Sequence, residues 1–288
     1  MTLQEWLTSC LEIITPLRAP RTVAAYRFAL AHLKVGLGET DMAAVSPVQM
    51  QINVNQVAAV YPRQGQILFT TLRASCNLAV KMGIVDRSPM RGVEMPTHCT
   101  RDIAYLTPPE VSRYLAALPR NDTFPPLLLM ACCGLRRGEA MGLNWLCVDL
   151  IDNCIYVRQQ RINSTICRLK SRKSRRSVPI SPEIVQILSE YINIDTPGGL
   201  VYTGCAARLY DAHKEGLSRA GLTETGVTLH GLRHSYATAA VAGGANITTV
   251  QSLLGHAHYQ LTADTYAHAL DFESRRVGDS TCRQFLAV

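Results

Sequence analysis

Along the first 95 residues apolar side chains return every three or four positions rather than every second one, the pattern of helices that bury one face. Thr2 and Glu5 make a capping box ahead of Trp6, Leu7 and Leu11, which predicts a first helix ending by Pro16. Pro20 opens a second helix with Val23, Tyr26, Leu30 and Leu33 on one side, closed by Gly36 and Gly38. Ser46-Pro47 starts a third. A longer fourth, from Gln64 to Met82, shows Leu68, Leu72, Cys76 and Ala79 on one face and stops at Gly83. Together they predict a small helical bundle over residues 1–95. The polar, proline-marked stretch from Asp86-Arg87-Ser88-Pro89 to Pro96-Thr97-His98-Cys99-Thr100-Arg101 has no apolar period and reads as the connection, with the linker placed at 96–105.

A second pattern begins beyond it. Thr107-Pro108-Pro109-Glu110 is another capping box with proline in the first turn, and Pro125 to Cys133 is almost wholly apolar, so that helix is buried on every side. It ends at Gly134, and Leu135-Arg136-Arg137-Gly138-Glu139-Ala140 sets two arginines where one helix breaks and the next begins. Cys154-Ile155-Tyr156-Val157, Thr165-Ile166-Cys167 and Ser177-Val178-Pro179-Ile180 read as short antiparallel strands, with basic residues on their turns. Ser181-Pro182-Glu183 restarts helix, and from Ala206 to Leu270 the pattern is helical apart from glycine breaks. The fold class expected is therefore mainly α with a small antiparallel β-sheet: a bundle over 1–95 and a mixed α/β domain over 106–288.

Composition narrows the class. At 288 residues the chain has room for two cores, and no run reaches the roughly 18 apolar residues of a membrane span. Met1-Thr2-Leu3-Gln4-Glu5 lacks the layout of a signal peptide, and ten cysteines without a Cys-x-x-Cys pair suit reduced thiols, so a soluble cytoplasmic or nucleoid protein is expected. Arg158, Arg161, Arg168, Lys170, Arg172, Lys173, Arg175 and Arg176 fall in one stretch with no acidic residue, and these eight charges exceed the whole chain's net +7. Either this is a solvated basic loop or it faces a polyphosphate, which better explains its concentration.

The densest chemistry lies in the last quarter, in Leu229-His230-Gly231-Leu232-Arg233-His234, Leu254-Gly255-His256 and Thr265-Tyr266-Ala267-His268. Taken alone, Tyr266 is a half-buried core tyrosine. Beside arginine and histidine it is a candidate nucleophile, because a positive field favours the phenolate and the same cations bind a phosphodiester. His230 and His234 stand four apart as on a metal-binding helix, but Gly231 sits where a zinc protease needs glutamate.

Arg136 in Gly-Leu-Arg-Arg-Gly-Glu, a lysine in the basic hairpin before Val-Pro-Ile, His230-x-x-Arg233, Leu-Gly-His256 and Tyr266, in that order, resemble the tyrosine site-specific recombinases of the phage integrase family. The resemblance implies a SAM-like core-binding bundle and a catalytic domain that clamp double-stranded DNA at specific core sites, as a homo-tetramer on two sites. It implies that Arg136 and Arg233 hold the scissile phosphate and that His256 adds a hydrogen bond. Tyr266 would attack to give a 3′-phosphotyrosine, Lys170 would protonate the 5′-oxygen, and His230 would assist at the tyrosine. No cofactor, metal or membrane is implied, since one phosphodiester is exchanged for another. Two other readings are a type IB topoisomerase, which relaxes supercoils in one duplex, and a DNA-binding regulator descended from a recombinase.

Overall fold

The computed structural model describes residues 1–18, 20–97, 103–169, 174–192 and 199–255. The chain divides into two compact units, Met1–Arg101 and Asp102–Val288. Among the described residues no helix is long and apolar enough to cross a membrane, and the eight described cysteines are free thiols.

The first unit holds helices α1 (Leu3–Ile14), α2 (Pro20–Ala31), α3 (Pro47–Val60) and α4 (Pro62–Lys81). At the start of α1 the Thr2 hydroxyl accepts from the Glu5 amide at 3.2 Å and the Glu5 carboxylate accepts from the Thr2 amide at 2.9 Å, which satisfies two orphan donors. Leu3, Trp6, Leu7 and Cys10 of α1 meet Leu68, Leu72, Cys76 and Ala79 of α4 in one core. The Trp6 indole is buried there without a penalty because Nε1 donates to the Ser75 carbonyl at 3.1 Å. Two expectations are corrected. α2 stops at Ala31, short of Gly36 and Gly38, which lie in the following turns. The stretch from Asp86 also belongs to this unit rather than to a connection, since Val85, Met90 and Val93 around it are buried in the bundle's core. Three isolated apolar residues among polar ones carry no periodic signal, so burial here was invisible to pattern.

The second unit begins with α5 (Pro108–Ala117) and α6 (Phe124–Cys133), then α7 (Arg137–Met141). Nine of the ten α6 residues are buried, and α6 packs along α10 (Leu229–Ala242). Each of its buried leucines contributes about 1.5–3 kcal/mol of transfer free energy, which makes α6 a rigid mount. Strands β1 (Val148–Asp149), β2 (Cys154–Val157) and β5 (Arg176–Pro179) form an antiparallel sheet in the order β1-β2-β5, with Ile155 opposite Val178 and both buried. Strands β3 (Gln159–Ile162) and β4 (Thr165–Arg168) pair separately as a hairpin. Helices α8 (Pro182–Ser189), α9 (Ala206–Arg219) and α11 (Ile247–Leu254) complete the described part. The basic stretch does not lie only on turns, as the sequence suggested: Arg161 is inside β3 and Arg176 inside β5, both turned inward. Arg161 donates to the carbonyls of Tyr202 at 3.1 Å, Thr203 at 3.3 Å and Gly204, so it ties the hairpin to the chain before α9.

Candidate active site

The site is assembled at the end of α6. Gly134 takes the left-handed conformation, φ +64°, and a Cβ there would lie 2.6 Å from the Tyr236 ring and 2.8 Å from Leu254, so only glycine fits. The turn it makes delivers Leu135 to the core and places Arg136 at the N-cap of α7. α7 is seated flush on β3: a Cβ on Gly142 would be 2.6 Å from the Arg161 amide nitrogen, and the Gly142 carbonyl accepts from Gln159 Nε2 at 2.8 Å. Arg137, the first residue of α7, is exposed.

Glu139, one turn into α7, is the centre of the cluster. Its Oε2 accepts from the Arg136 amide at 2.9 Å and its Oε1 from Arg136 Nη1 at 2.7 Å. Arg176 reaches it from β5 with a two-pronged contact, Nη1 to Oε1 at 3.1 Å and Nη2 to Oε2 at 2.8 Å. Arg233 approaches from α10, with Nη1 at 3.9 Å from Oε2. Glu139 and Arg233 are each 1% exposed, Arg176 5% and Arg136 32%, so Arg136 is the guanidinium of the three that faces solvent. Burial alone would raise the Glu139 carboxyl. The hydrogen bonds and charge of Arg176, with Arg136, outweigh it and hold the group below the ordinary carboxylate range.

Three guanidiniums around one carboxylate leave an excess of positive charge, and the C-terminus of α11 takes part of it. Arg233 Nη2 donates to the Leu254 carbonyl at 2.6 Å, Arg136 Nη2 to Gly255 at 2.9 Å, and Arg176 Nε to Leu253. These are orphan carbonyls at the negative end of a helix. Arg233 Nη1 also donates to the Gly134 carbonyl at 2.7 Å, which locks α10 to the α6 turn. On the same helix His230 lies near enough to Arg233 and Arg136 that surrounding protein first, and then their charges, push its imidazolium pKa down, favouring a neutral ring. The His230 and His234 rings meet edge to face at 4.8 Å, and His234 is lowered to about 4 by burial and by the charges of His230 and Arg233.

Of the six residues singled out from the sequence, Arg136, His230 and Arg233 therefore lie together. Lys170, His256 and Tyr266 fall outside the described residues, as does the C-terminal tail. Arg176 and the central place of Glu139 were not identified beforehand. A signal existed for Arg176: side chains two apart on a strand share a face, so a buried Val178 brings Arg176 inward with it.

Chemically, two of the five N–H donors of Arg136 are taken by Glu139 and Gly255, and its remaining edge can grip two oxygens of a tetrahedral anion. Guanidiniums on three fixed elements, one of them facing solvent, with a histidine beside them whose charged form is disfavoured, make an arrangement able to bind a tetrahedral oxyanion. The phage integrase family model matches residues 105–273, more than half of the sequence, and the chain belongs to that family. It is 28% identical over 222 residues to a tyrosine recombinase of Thermosipho africanus, covering 74% of each chain. It is 31% identical over 205 residues to the tyrosine recombinase XerD of Neisseria meningitidis, covering 65% of each. The integrase of transposon Tn1549, solved with circular intermediate DNA, superposes with a TM-score of 0.77 at 18% identity, covering 96% of this chain and 99% of that one. The chain is accordingly a tyrosine recombinase, an enzyme that cuts and rejoins DNA strands, and relaxation of supercoils is not the activity these relatives carry in their names.

Proposed function

We propose that this recombinase cleaves specific core sites in double-stranded DNA through a 3′-phosphotyrosine at Tyr266, with Arg136 and Arg233 as the phosphate-binding pair. The observation that carries the reading is the convergence of both arginines on Glu139 and on the carbonyls of Leu254 and Gly255, immediately before the His256 segment. Preorganised cations aimed at a developing charge need no reorganisation when the pentacoordinate phosphorus forms. The Tn1549 integrase is named with DNA bound, which supports a DNA partner here.

In this scheme Tyr266 Oη attacks phosphorus in line and the 5′-oxygen leaves. Arg136 and Arg233 neutralise the nonbridging oxygens, and His256 adds a third donor. His230, held neutral, accepts the tyrosine proton, and Lys170 delivers a proton to the leaving oxygen. The phosphotyrosine keeps the energy of the broken phosphodiester, and attack by a 5′-hydroxyl from a second duplex reverses it. A tetramer on two sites would supply that partner strand, and the bundle over 1–95 would serve as the core-binding half, in the bacterial nucleoid or on a mobile element.

The test is adduct formation on a pool of nicked duplexes with a randomised core, recovered through the protein–DNA bond and sequenced at the trapped end. Wild-type protein should enrich one core with a 3′-linked adduct. Tyr266→Phe should bind the recovered duplex with unchanged affinity and give no adduct; an adduct from the Phe protein would sink the assignment.

A further inference from the structure

Three consecutive carbonyls end α11, and each is held by a different arginine: Leu253 by Arg176, Leu254 by Arg233 and Gly255 by Arg136. The same three side chains face Glu139 from β5, α10 and α7. Within this double clasp the arginines are not equivalent. Arg136 is partly open to solvent and touches one carboxylate oxygen with its side chain. Arg176 is closed off, spans both oxygens of Glu139 and reaches the helix end with its Nε, so it fixes the carboxylate's plane and the position of α11 at once.

We infer that Arg176 is a positioning residue for strand cleavage, setting the direction of the Arg136 fork through Glu139 and the seat of Arg233 through the end of α11, without touching the phosphate. Its side chain is too enclosed to meet DNA. The inference rests on the reading of Arg136 and Arg233 as the phosphate-binding pair. A lysine in its place has one ammonium and no planar fork, so it can hold either Glu139 or the Leu253 carbonyl but not both in the same geometry. Displacing a positioned group by an ångström is enough to cost about 10²-fold in rate.

Single-turnover cleavage and DNA affinity of Arg176→Lys, Arg176→Met and Arg136→Lys are compared on the duplex recovered above. Arg176→Lys should cleave about 10- to 100-fold more slowly at saturating DNA, with affinity within about threefold of wild type. A pH series separates positioning from scaffold. Glu139 is faced by Arg136, Arg176 and Arg233, and with Arg176 gone burial works against its charge. The ratio of Arg176→Met to wild-type rate should then fall as pH drops from 8 to 5, and Glu139→Gln in the same chain should abolish that fall. Wild-type rates for both Arg176 variants overturn the inference, as does a ratio independent of pH or a loss confined to DNA affinity. A Lys variant that does not fold, judged by circular dichroism, also counts against it, because the residue is then scaffold. If Arg136→Lys cleaves normally the reading of the site fails; if Arg136→Lys is crippled and Arg176→Lys is not, only the inference fails.

Discussion

Which lysine would protonate the leaving oxygen in the proposed reaction turns on single atoms. Lys170 and Lys173 both lie between Leu169 and Ser174, outside the described residues, after β4 and before the Arg176 that faces Glu139. Lys170 stands before a small hydroxyl residue, Ser171, and the strand through Arg176-Ser177-Val178-Pro179 follows at the spacing the family resemblance implies. Loss of a general acid costs on the order of 10²–10⁴ in rate, whereas loss of a phosphate contact weakens binding and its salt dependence. Replacing the bridging 5′-oxygen by sulfur makes a leaving group that needs little protonation. Lys170→Ala should regain most of its cleavage rate on that substrate and Lys173→Ala should show no selective gain. Rescue of Lys173→Ala alone would transfer the role.

Elements show why the site has the shape it has, and where sequence pattern stops being informative. Gly134 is the hinge on which α6 hands over to α7. Gly134→Ala should destabilise the protein by about 2–4 kcal/mol, the sum of a left-handed alanine and an overpacked contact with Tyr236 and Leu254. Gly226→Ala is the control: its φ is also positive, +63°, but nothing lies within 4 Å of the added carbon, so about 1 kcal/mol is expected. Denaturant midpoints of both proteins measure the difference, and equal losses would remove the packing argument. The α6 run, the Gly134 stop and the capping boxes at Thr2 and Thr107 were legible because each is a local rule written in adjacent residues. Strand β3 was not. Gln159-Gln160-Arg161-Ile162 has no apolar alternation, and its one buried side chain is an arginine whose Nη1 and Nη2 donate to carbonyls about 40 residues away. The partner of Arg176 stands 37 residues earlier on another element, so no local rule could pair them.

At the scale of the whole molecule, buried histidines among the described residues work against stability in acid. His213, His230 and His234 all have lowered pKa values, burial being the first cause in each. A folded chain that refuses protons which the unfolded chain accepts near pH 6.5 loses stability as pH falls. For His234 the loss runs from about 6.5 down to about 4, on the order of 3 kcal/mol at most. Glu139 adds to it only lower down: its pKa is depressed, so its contribution is complete above 4.5 and is lost as pH drops through the folded value. Urea midpoints should therefore decline between pH 7 and 4, and His234→Gln should flatten the upper part of that decline. A parallel curve for the variant would show that His234 takes no part.

The clasp at the end of α11 also decides where the chain can change length. Three neighbouring carbonyls are each matched to one arginine, so a single residue inserted or deleted between Asn246 and Gly255 would shift every pairing by one and rotate the helix end by about 100°. The count from Asn246 to Gly255 is thereby fixed, as on a vernier scale. Loops that touch none of these carbonyls, such as the exposed turn at Asn163-Ser164, can lengthen without disturbing it.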